Sequence, residues 1–179
     1  TDMSRLGIDF AGVHFKNPIV PASGTFGYGK EFEEFYPLSE LGGISVKGTT
    51  GTRRNGNLPP RIAETPSGML NSVGLQNPGI DHFIAEELPY LKAKDTVIIA
   101  NIAGSTAEEY REIAEKLDST DVDMIEVNIS CPNVKAGGAA FGVSCERAAH
   151  ITSIVRKATK KPVMMKLSPN VTSIADIAK

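Results

Sequence analysis

A cysteine set among carboxamides and a hydroxyl is the most reactive feature of this chain. Residues 128–133 read NISCPN and follow the run from Val122 to Val127, which is typical of a buried strand in a parallel sheet. Ligands of parallel α/β proteins bind at the carboxyl ends of the strands. A thiol at that position can act as a base once it is ionised, and carboxamides can both donate and accept hydrogen bonds. We therefore take Cys131 as the candidate catalytic residue.

Polar groups also end the other segments that the sequence predicts as strands. Five short apolar segments fit buried strands, at 18–22, 43–47, 96–101, 123–130 and 162–167. The polar residues at or just after their ends are Ser23, Lys47 with Gly48, Asn101, Asn128 with Cys131, and Lys166. Strands that run parallel bring such groups to a single rim, where they could form one site.

Helical patterns separate the predicted strands. They lie at about 30–40, 79–94, 106–117 and 144–159, and residues 8–15 predict a short β-hairpin before the first strand. In the third helix, Ser105 is the predicted N-cap and Glu108 would complete a capping box. Alternating strands and helices predict parallel pairing with right-handed crossovers.

The fold class that we predict is α/β, a (β/α)8 TIM barrel with an N-terminal β-hairpin. A barrel gathers the strand ends into one mouth, whereas an open sheet distributes them along a crevice. A complete barrel needs about 250 residues, and here the pattern stops in the fifth helix. We therefore expect residues 1–179 to be a single domain with only the N-terminal five or so βα units, truncated before strands 6 to 8.

Composition excludes several other classes of protein. A net charge of -2 and a pI near 5.9 give no reason to expect nucleic acid or an anionic membrane as a partner. No apolar run reaches the roughly 18 residues of a membrane span, and the first residues do not resemble a signal peptide, so a cytoplasmic location is expected. Cys131 and Cys145 are the two cysteines, which disfavours a disulfide framework, a zinc site or an iron-sulfur cluster in this chain, and we predict no metal site.

Six motifs, in order and over essentially the whole chain, resemble those of the class 1 dihydroorotate dehydrogenases. They are NPIVPASGTFGYG (17–29), ISVKGTT (44–50), ETPSGMLNSVGLQNPG (64–79), NIAGST (101–106), NISCPNVKAGGAAFG (128–142) and VMMKLSPNV (163–171). The sequence is most similar to class 1B, the bacterial catalytic subunit that works with a partner carrying an iron-sulfur cluster and FAD.

That resemblance implies an FMN-binding barrel that oxidises (S)-dihydroorotate to orotate in pyrimidine biosynthesis. Cys131 would remove the C5 proton while a hydride leaves C6 for FMN. The implied FMN contacts are Ser23, Lys47, Gly48, Asn101, Asn128 and Lys166. The implied substrate contacts are Lys47, Asn71, Ser72, Val73, Gly74, Leu75, Asn128 and Asn133. The family's remaining substrate and flavin-phosphate contacts lie in later strands.

The resemblance to class 1B also implies partners. Electrons would pass to NAD through a subunit that holds FAD and a [2Fe-2S] cluster, and two catalytic subunits with two such partners would form a heterotetramer.

The residue types suit this chemistry. A thiol with a reference pKa of about 8.5 needs nearby positive charge to act as a base at neutral pH, and Lys47 could provide it. Reduced flavin carries negative charge near N1, which a lysine such as Lys166 can stabilise.

Three alternatives remain open at this level. Class 1A is a homodimer that reduces fumarate, and the flavin domain of dihydropyrimidine dehydrogenase shares the Asn-Ser-Cys-Pro signature. In both, the loop after the cysteine differs from Asn133-Val134-Lys135 and the glycine-rich run 137–142. A barrel that serves as a binding or scaffold module would bind no flavin.

Arg53, Arg54 and Arg61 could be solvated surface residues or contacts to a protein partner.

Overall fold

A computed structural model describes residues 3–130 and 141–179 of the chain. The strands of the described residues are β1 (Ile8–Phe10), β2 (Val13–Phe15), β3 (Gly43–Ser45), β4 (Ile62–Thr65), β5 (Gly68–Asn71), β6 (Val97–Ile102), β7 (Met124–Asn128) and β8 (Val163–Lys166). The longer helical segments are α1 (80–92), α2 (Ala107–Asp118), α3 (Cys145–Ala158) and α4 (Ile174–Ala178). Helix α1 comprises Ile80–His82, a π-helical turn at Phe83–Glu87, and Leu88–Lys92. None of these helices has both the length and the apolar character that crossing a membrane requires.

A parallel sheet with the order β3-β6-β7-β8 forms the centre of the fold. Ile44 pairs with Ile98, Ala100 with Ile125, and Val127 with Met165. Helices α1, α2 and α3 lie between consecutive strands in sequence. The predicted parallel pairing of alternating strands and helices is confirmed for these four strands.

The first predicted strand, 18–22, is not a regular strand in the structure. Pro18 and Pro21 lack the backbone N–H that a β-ladder needs. At these two positions the backbone can therefore only accept hydrogen bonds, through its carbonyl groups. It nevertheless lies beside β3, because Gly42 N donates to Ile19 O at 3.0 Å and Ser45 N donates to Pro21 O at 3.3 Å. The segment thus occupies the place of a first strand without its full hydrogen bonding.

Two helix predictions also need correction. The predicted helix at 30–40 is a pair of short 3-10 turns, Lys30–Glu34 and Leu38–Glu40, separated at Pro37. Helix α2 is capped by Thr106, whose hydroxyl accepts from Glu109 N at 3.1 Å, so the cap lies one residue later than the predicted pair of Ser105 and Glu108.

The two faces of the sheet pack against different elements. On the helix-facing side, Ile98, Ala100 and Ile102 pack with α2, whose buried residues Tyr110, Ile113, Ala114 and Leu117 follow helical spacing. On the opposite side, which we call the inner face, Ile99 and Met124 pack with Phe15 from the β1-β2 hairpin. The hairpin therefore covers the amino end of the inner face, and the carboxyl end is left to polar residues.

A second antiparallel hairpin, β4-β5, lies between the predicted strand at 43–47 and the predicted helix at 79–94, where no strand or helix was predicted. Every residue of both strands is exposed, so no alternation of apolar and polar residues could reveal them. Arg61 fixes the base of this hairpin: its Nε donates to Asn57 O at 2.6 Å and its Nη2 to Asn55 O at 2.9 Å, and Nη1 bonds Gln76. Arg61 is therefore a structural residue of the loop.

Candidate active site

Four polar side chains occupy the carboxyl end of the inner face. They alternate with the apolar residues below because side chains on one face of a strand recur every second residue. Asn101 on β6 is the register partner of Glu126 on β7, and Asn128 on β7 is the partner of Lys166 on β8. Three strands predicted separately from the sequence thus bring Asn101, Asn128 and Lys166 to one rim.

Asn101 is the most unusual of the four. Its side chain is fully buried, and neither its Nδ2 nor its Oδ1 has a hydrogen-bond partner among the described residues. A buried carboxamide without partners costs on the order of 1–3 kcal/mol per unmet group, so native proteins rarely leave one. An amide at a strand end in this condition indicates a ligand that donates and accepts at the same place.

Gly48 makes room beside that amide. A Cβ at position 48 would lie 2.8 Å from Asn101 Oδ1 and 3.2 Å from Leu75 Cδ1. The backbone of Gly48 and the side chains of Asn101 and Leu75 therefore form one close-packed cradle. Such a cradle, with an amide whose donor and acceptor are both unpaired among the described residues, suits the edge of a flat ring that alternates donors and acceptors, as the flavin ring does.

Lys47 and Ser23 flank the cradle from the preceding loops. Ser23 Oγ donates to Val46 O at 2.6 Å, and Lys47 N donates to Gly27 O at 3.0 Å. Lys47 lines a cavity of about 630 Å3 together with Tyr28 and Val73. Burial raises the pKa of the Tyr28 phenol above its usual value, so this hydroxyl stays protonated at neutral pH.

The predicted substrate loop, Asn71 to Leu75, divides between the site and the surface. Val73 reaches the cavity of Lys47, and Leu75 is buried against Gly48. Asn71 is exposed at the end of β5, and Ser72 is exposed with its hydroxyl accepting from Asn57 Nδ2 at 2.8 Å. Gly74 has a φ of +74°, which favours glycine, and an added Cβ would lie 2.7 Å from the Asn57 backbone N.

Two residues that the sequence analysis did not single out hold these loops together. Asn77, 4% exposed, accepts from Thr50 N at 3.1 Å and Gly79 N at 3.0 Å, and its Nδ2 donates to Leu75 O at 2.9 Å. Glu109 accepts from Gly51 N at 3.1 Å and Ser105 N at 2.7 Å. The sequence could have indicated Asn77, because the pair Asn77-Pro78 lies in the motif 64–79. The role of Glu109 is visible only in the fold.

Glu126 is the third residue that the sequence analysis missed. Its side chain is 7% exposed, its Oε1 lies 3.9 Å from Lys166 Nζ, and its Oε2 accepts a hydrogen bond from Ser45 Oγ. The signal was present, since Glu126 precedes Asn128 by two residues and must share its face.

Asn128 shapes the chain as it leaves β7. Its Oδ1 accepts from Ser130 N at 3.0 Å and Ser130 Oγ at 2.8 Å, and Tyr110 donates to its backbone carbonyl at 2.7 Å. These bonds fix the direction of the chain up to residue 130. The predicted base Cys131 and the predicted substrate residue Asn133 lie outside the described residues, as does most of the glycine-rich run 137–142. Within the described ranges, no three histidine, cysteine or carboxylate side chains gather as a metal site would need.

Comparison with known proteins is consistent with the geometry of this site. Residues 5–179 match the family described as dihydroorotate dehydrogenase. The chain is 56% identical over 171 residues to the dihydroorotate dehydrogenase B (NAD(+)) catalytic subunit of Petrotoga mobilis, covering 96% of this chain and 57% of that protein. It is 55% identical over 178 residues to the same subunit of Anoxybacillus flavithermus, covering 99% and 57%. The chain thus spans a little over half the length of these curated relatives.

A solved structure shares the fold. The dihydroorotate dehydrogenase of Eimeria tenella, crystallised with ferulenol, superposes with a TM-score of 0.76 at 20% identity, covering 98% of this chain and 56% of the other. At that identity, the likeness concerns the fold alone.

Proposed function

The chain belongs to the dihydroorotate dehydrogenase family, and from that premise we propose that the protein containing it oxidises (S)-dihydroorotate to orotate with FMN. We propose further that its strands form the first part of a (β/α)8 barrel whose mouth holds the flavin. The reaction would be a step of pyrimidine biosynthesis.

The observation that carries the proposal is the buried carboxamide of Asn101, which has no partner among the described residues, beside the bare backbone of Gly48. A flavin ring edge would meet both hydrogen-bonding atoms of this amide. Among the other implied FMN contacts, Asn128 and Lys166 pair across the ends of β7 and β8. Ser23 and Lys47 lie on the segments beside and after β3, where Ser23 Oγ donates to Val46 O, which supports one continuous binding surface.

The protein's own groups would do the remaining work. When bound, FMN would accept the hydride that leaves C6 of dihydroorotate. Cys131, the residue that follows Ser130 in the sequence, would take the proton from C5, and the cation of Lys47 would favour its thiolate form. The ammonium of Lys166 would offset the negative charge that reduced flavin carries. Lys47, Asn128, Asn133 and the loop from Asn71 to Leu75 would orient the substrate.

We propose class 1B chemistry for electron release. The curated relatives cited above carry the name of a catalytic subunit linked to NAD(+), which supports a partner subunit for this chain. That partner would hold FAD and a [2Fe-2S] cluster, and the assembly would be a heterotetramer built on a homodimer of catalytic subunits.

Turnover with competing substrates and acceptors tests this proposal. We expect the purified protein with its partner to reduce NAD with dihydroorotate, and to show no turnover with fumarate when the partner is absent. Activity with fumarate alone would indicate class 1A, and turnover of uracil in place of dihydroorotate would indicate a dihydropyrimidine dehydrogenase. A protein that binds no flavin would refute the enzymatic proposal altogether.

A further inference from the structure

We propose that Glu126 is a positioning residue of this site, and that it acts by holding the ammonium of Lys166 over the inner face. The inference rests on the proposed flavin function, because it concerns the charge that Lys166 presents to the flavin.

Sheet register brings the two residues together. Glu126 points to the inner face one layer below Asn128, and Lys166 is the register partner of Asn128 on the next strand. The pair is therefore diagonal across neighbouring strands, which is within reach of long side chains. The measured separation of Lys166 Nζ and Glu126 Oε1 is 3.9 Å.

Glu126 is the fixed member of the pair. Its side chain is 7% exposed, and its second oxygen accepts from Ser45 Oγ across β6, so both oxygens are engaged. The side chain of Lys166 is 36% exposed and has a path to water. The carboxylate thus determines where the ammonium stays.

Packing alone does not explain a carboxylate at position 126. The layer below on the same face is apolar, with Met124 and Ile99, and Met164 is the register partner of Glu126 itself, so a methionine-like side chain could stand at position 126. Replacing a buried ion pair by apolar residues is often neutral or stabilising, so the charge is poor support for stability. We infer that the carboxylate of Glu126 serves instead to hold Lys166 at the rim.

The consequence concerns the reduced flavin. A cation stabilises negative charge more strongly the closer it stays and the less water surrounds it. Without the carboxylate of Glu126, the ammonium of Lys166 would move toward solvent, and its stabilisation of the reduced flavin would weaken. Loss of Glu126 should therefore act in the same direction as loss of Lys166, although the two side chains carry opposite charges.

The test is an equilibrium reduction of the holoprotein against a reference dye, comparing wild type, E126Q, K166M and the double variant. We expect E126Q to lower the ratio of reduced to oxidised flavin at a fixed potential by about fivefold, a modest charge effect. We expect K166M to lower it at least as far, and E126Q to add little in the K166M background. E108Q removes the same charge from an exposed position of α2 and should leave the ratio unchanged.

Three outcomes would overturn the inference. A rise in the reduced fraction in E126Q would mean that Glu126 acts as a simple negative charge, and full additivity with K166M would mean that it does not act through the lysine. If E126Q does not fold, S45A removes the hydrogen bond that orients Glu126 and should shift the ratio in the same direction, and no shift would overturn the inference. Failure of the proposed function would look different, because a protein without that function would bind no flavin. The reduction is chemical, so it measures the effect of each variant on the flavin without requiring turnover of dihydroorotate.

Discussion

At the scale of single residues, the glycine at position 48 and the amide of Asn101 share one small space. Gly48 has an ordinary backbone conformation, so only its missing side chain is required. G48A would force the Asn101 amide, 2.8 Å from the new Cβ, into the volume that we assign to the ligand. We expect FMN affinity, measured by fluorescence titration, to fall about tenfold, the scale of overpacking one methyl group.

The matched control for that variant is G68A. An added Cβ at position 68 meets nothing closer than Thr65 Oγ1 at 3.7 Å on the exposed hairpin, and FMN affinity should be unchanged. Equal losses in the two variants would show that the effect is not specific to the cradle.

The base is a second prediction at this scale. C131S should slow flavin reduction by dihydroorotate about 100-fold or more at neutral pH, because the hydroxyl is a much weaker base, while FMN remains bound. Stopped-flow absorbance measures the rate. C145S is the control, since Cys145 is exposed on α3 with its thiol near Asp176 O, and its rate should equal that of wild type. An unchanged rate in C131S would remove Cys131 from the mechanism.

At the scale of elements, Asn77 joins the loop after β3 to the loop that carries Leu75. N77A would remove its bonds to Thr50, Leu75 and Gly79 and leave buried backbone groups without partners. We expect a loss of about 1–3 kcal/mol in the free energy of unfolding, measured by urea denaturation. N55A, at an exposed side chain in the same region, should change it little, and a comparable loss there would contradict the role of Asn77.

A carboxylate links α2 to the chain after α3. A backbone hydrogen bond from Lys160 and the Thr159 hydroxyl hold the pKa of Asp118 below its usual value. A pKa lowered in the folded state contributes stability above the unfolded pKa of about 3.9, and that stability disappears as the pH falls through the folded value.

Asp118 should therefore matter at neutral pH and not in acid. D118N should lower the urea midpoint at pH 7, with a difference from wild type that shrinks progressively below about pH 4. D121N, at an exposed neighbouring position, is the matched control and should change the urea midpoint at pH 7 little. A D118N difference that persists unchanged at low pH would contradict this linkage.

Helices and strands could be predicted where apolar residues recur with a strong period. They could not be predicted where a cap residue or a proline determines the local structure. Helix α2 was evident from its buried stripe of Tyr110, Ile113 and Leu117, yet its cap was misplaced by one residue because Ser105 and Thr106 are both good caps. The segment 18–22 is apolar enough for a strand, but its prolines prevent regular pairing. The β4-β5 hairpin gave no signal because nothing in it is buried.

At the scale of the whole molecule, the polar residues of the rim could be predicted from the sequence, whereas the residues that hold the rim in place could not. Strand ends identified Asn101, Asn128 and Lys166, because a parallel sheet necessarily brings such ends together. Glu126 and Glu109 depend on register and on contacts between distant loops, which one sequence does not contain. The inner face has two parts, an apolar layer at its amino end that Phe15 covers and a polar rim at its carboxyl end.

Anaerobic addition of dihydroorotate to the purified flavoprotein tests the central claim most directly. We expect the flavin absorbance to bleach in proportion to bound FMN, with one orotate formed for each flavin reduced. A protein that holds FMN but keeps its absorbance under saturating dihydroorotate would contradict it.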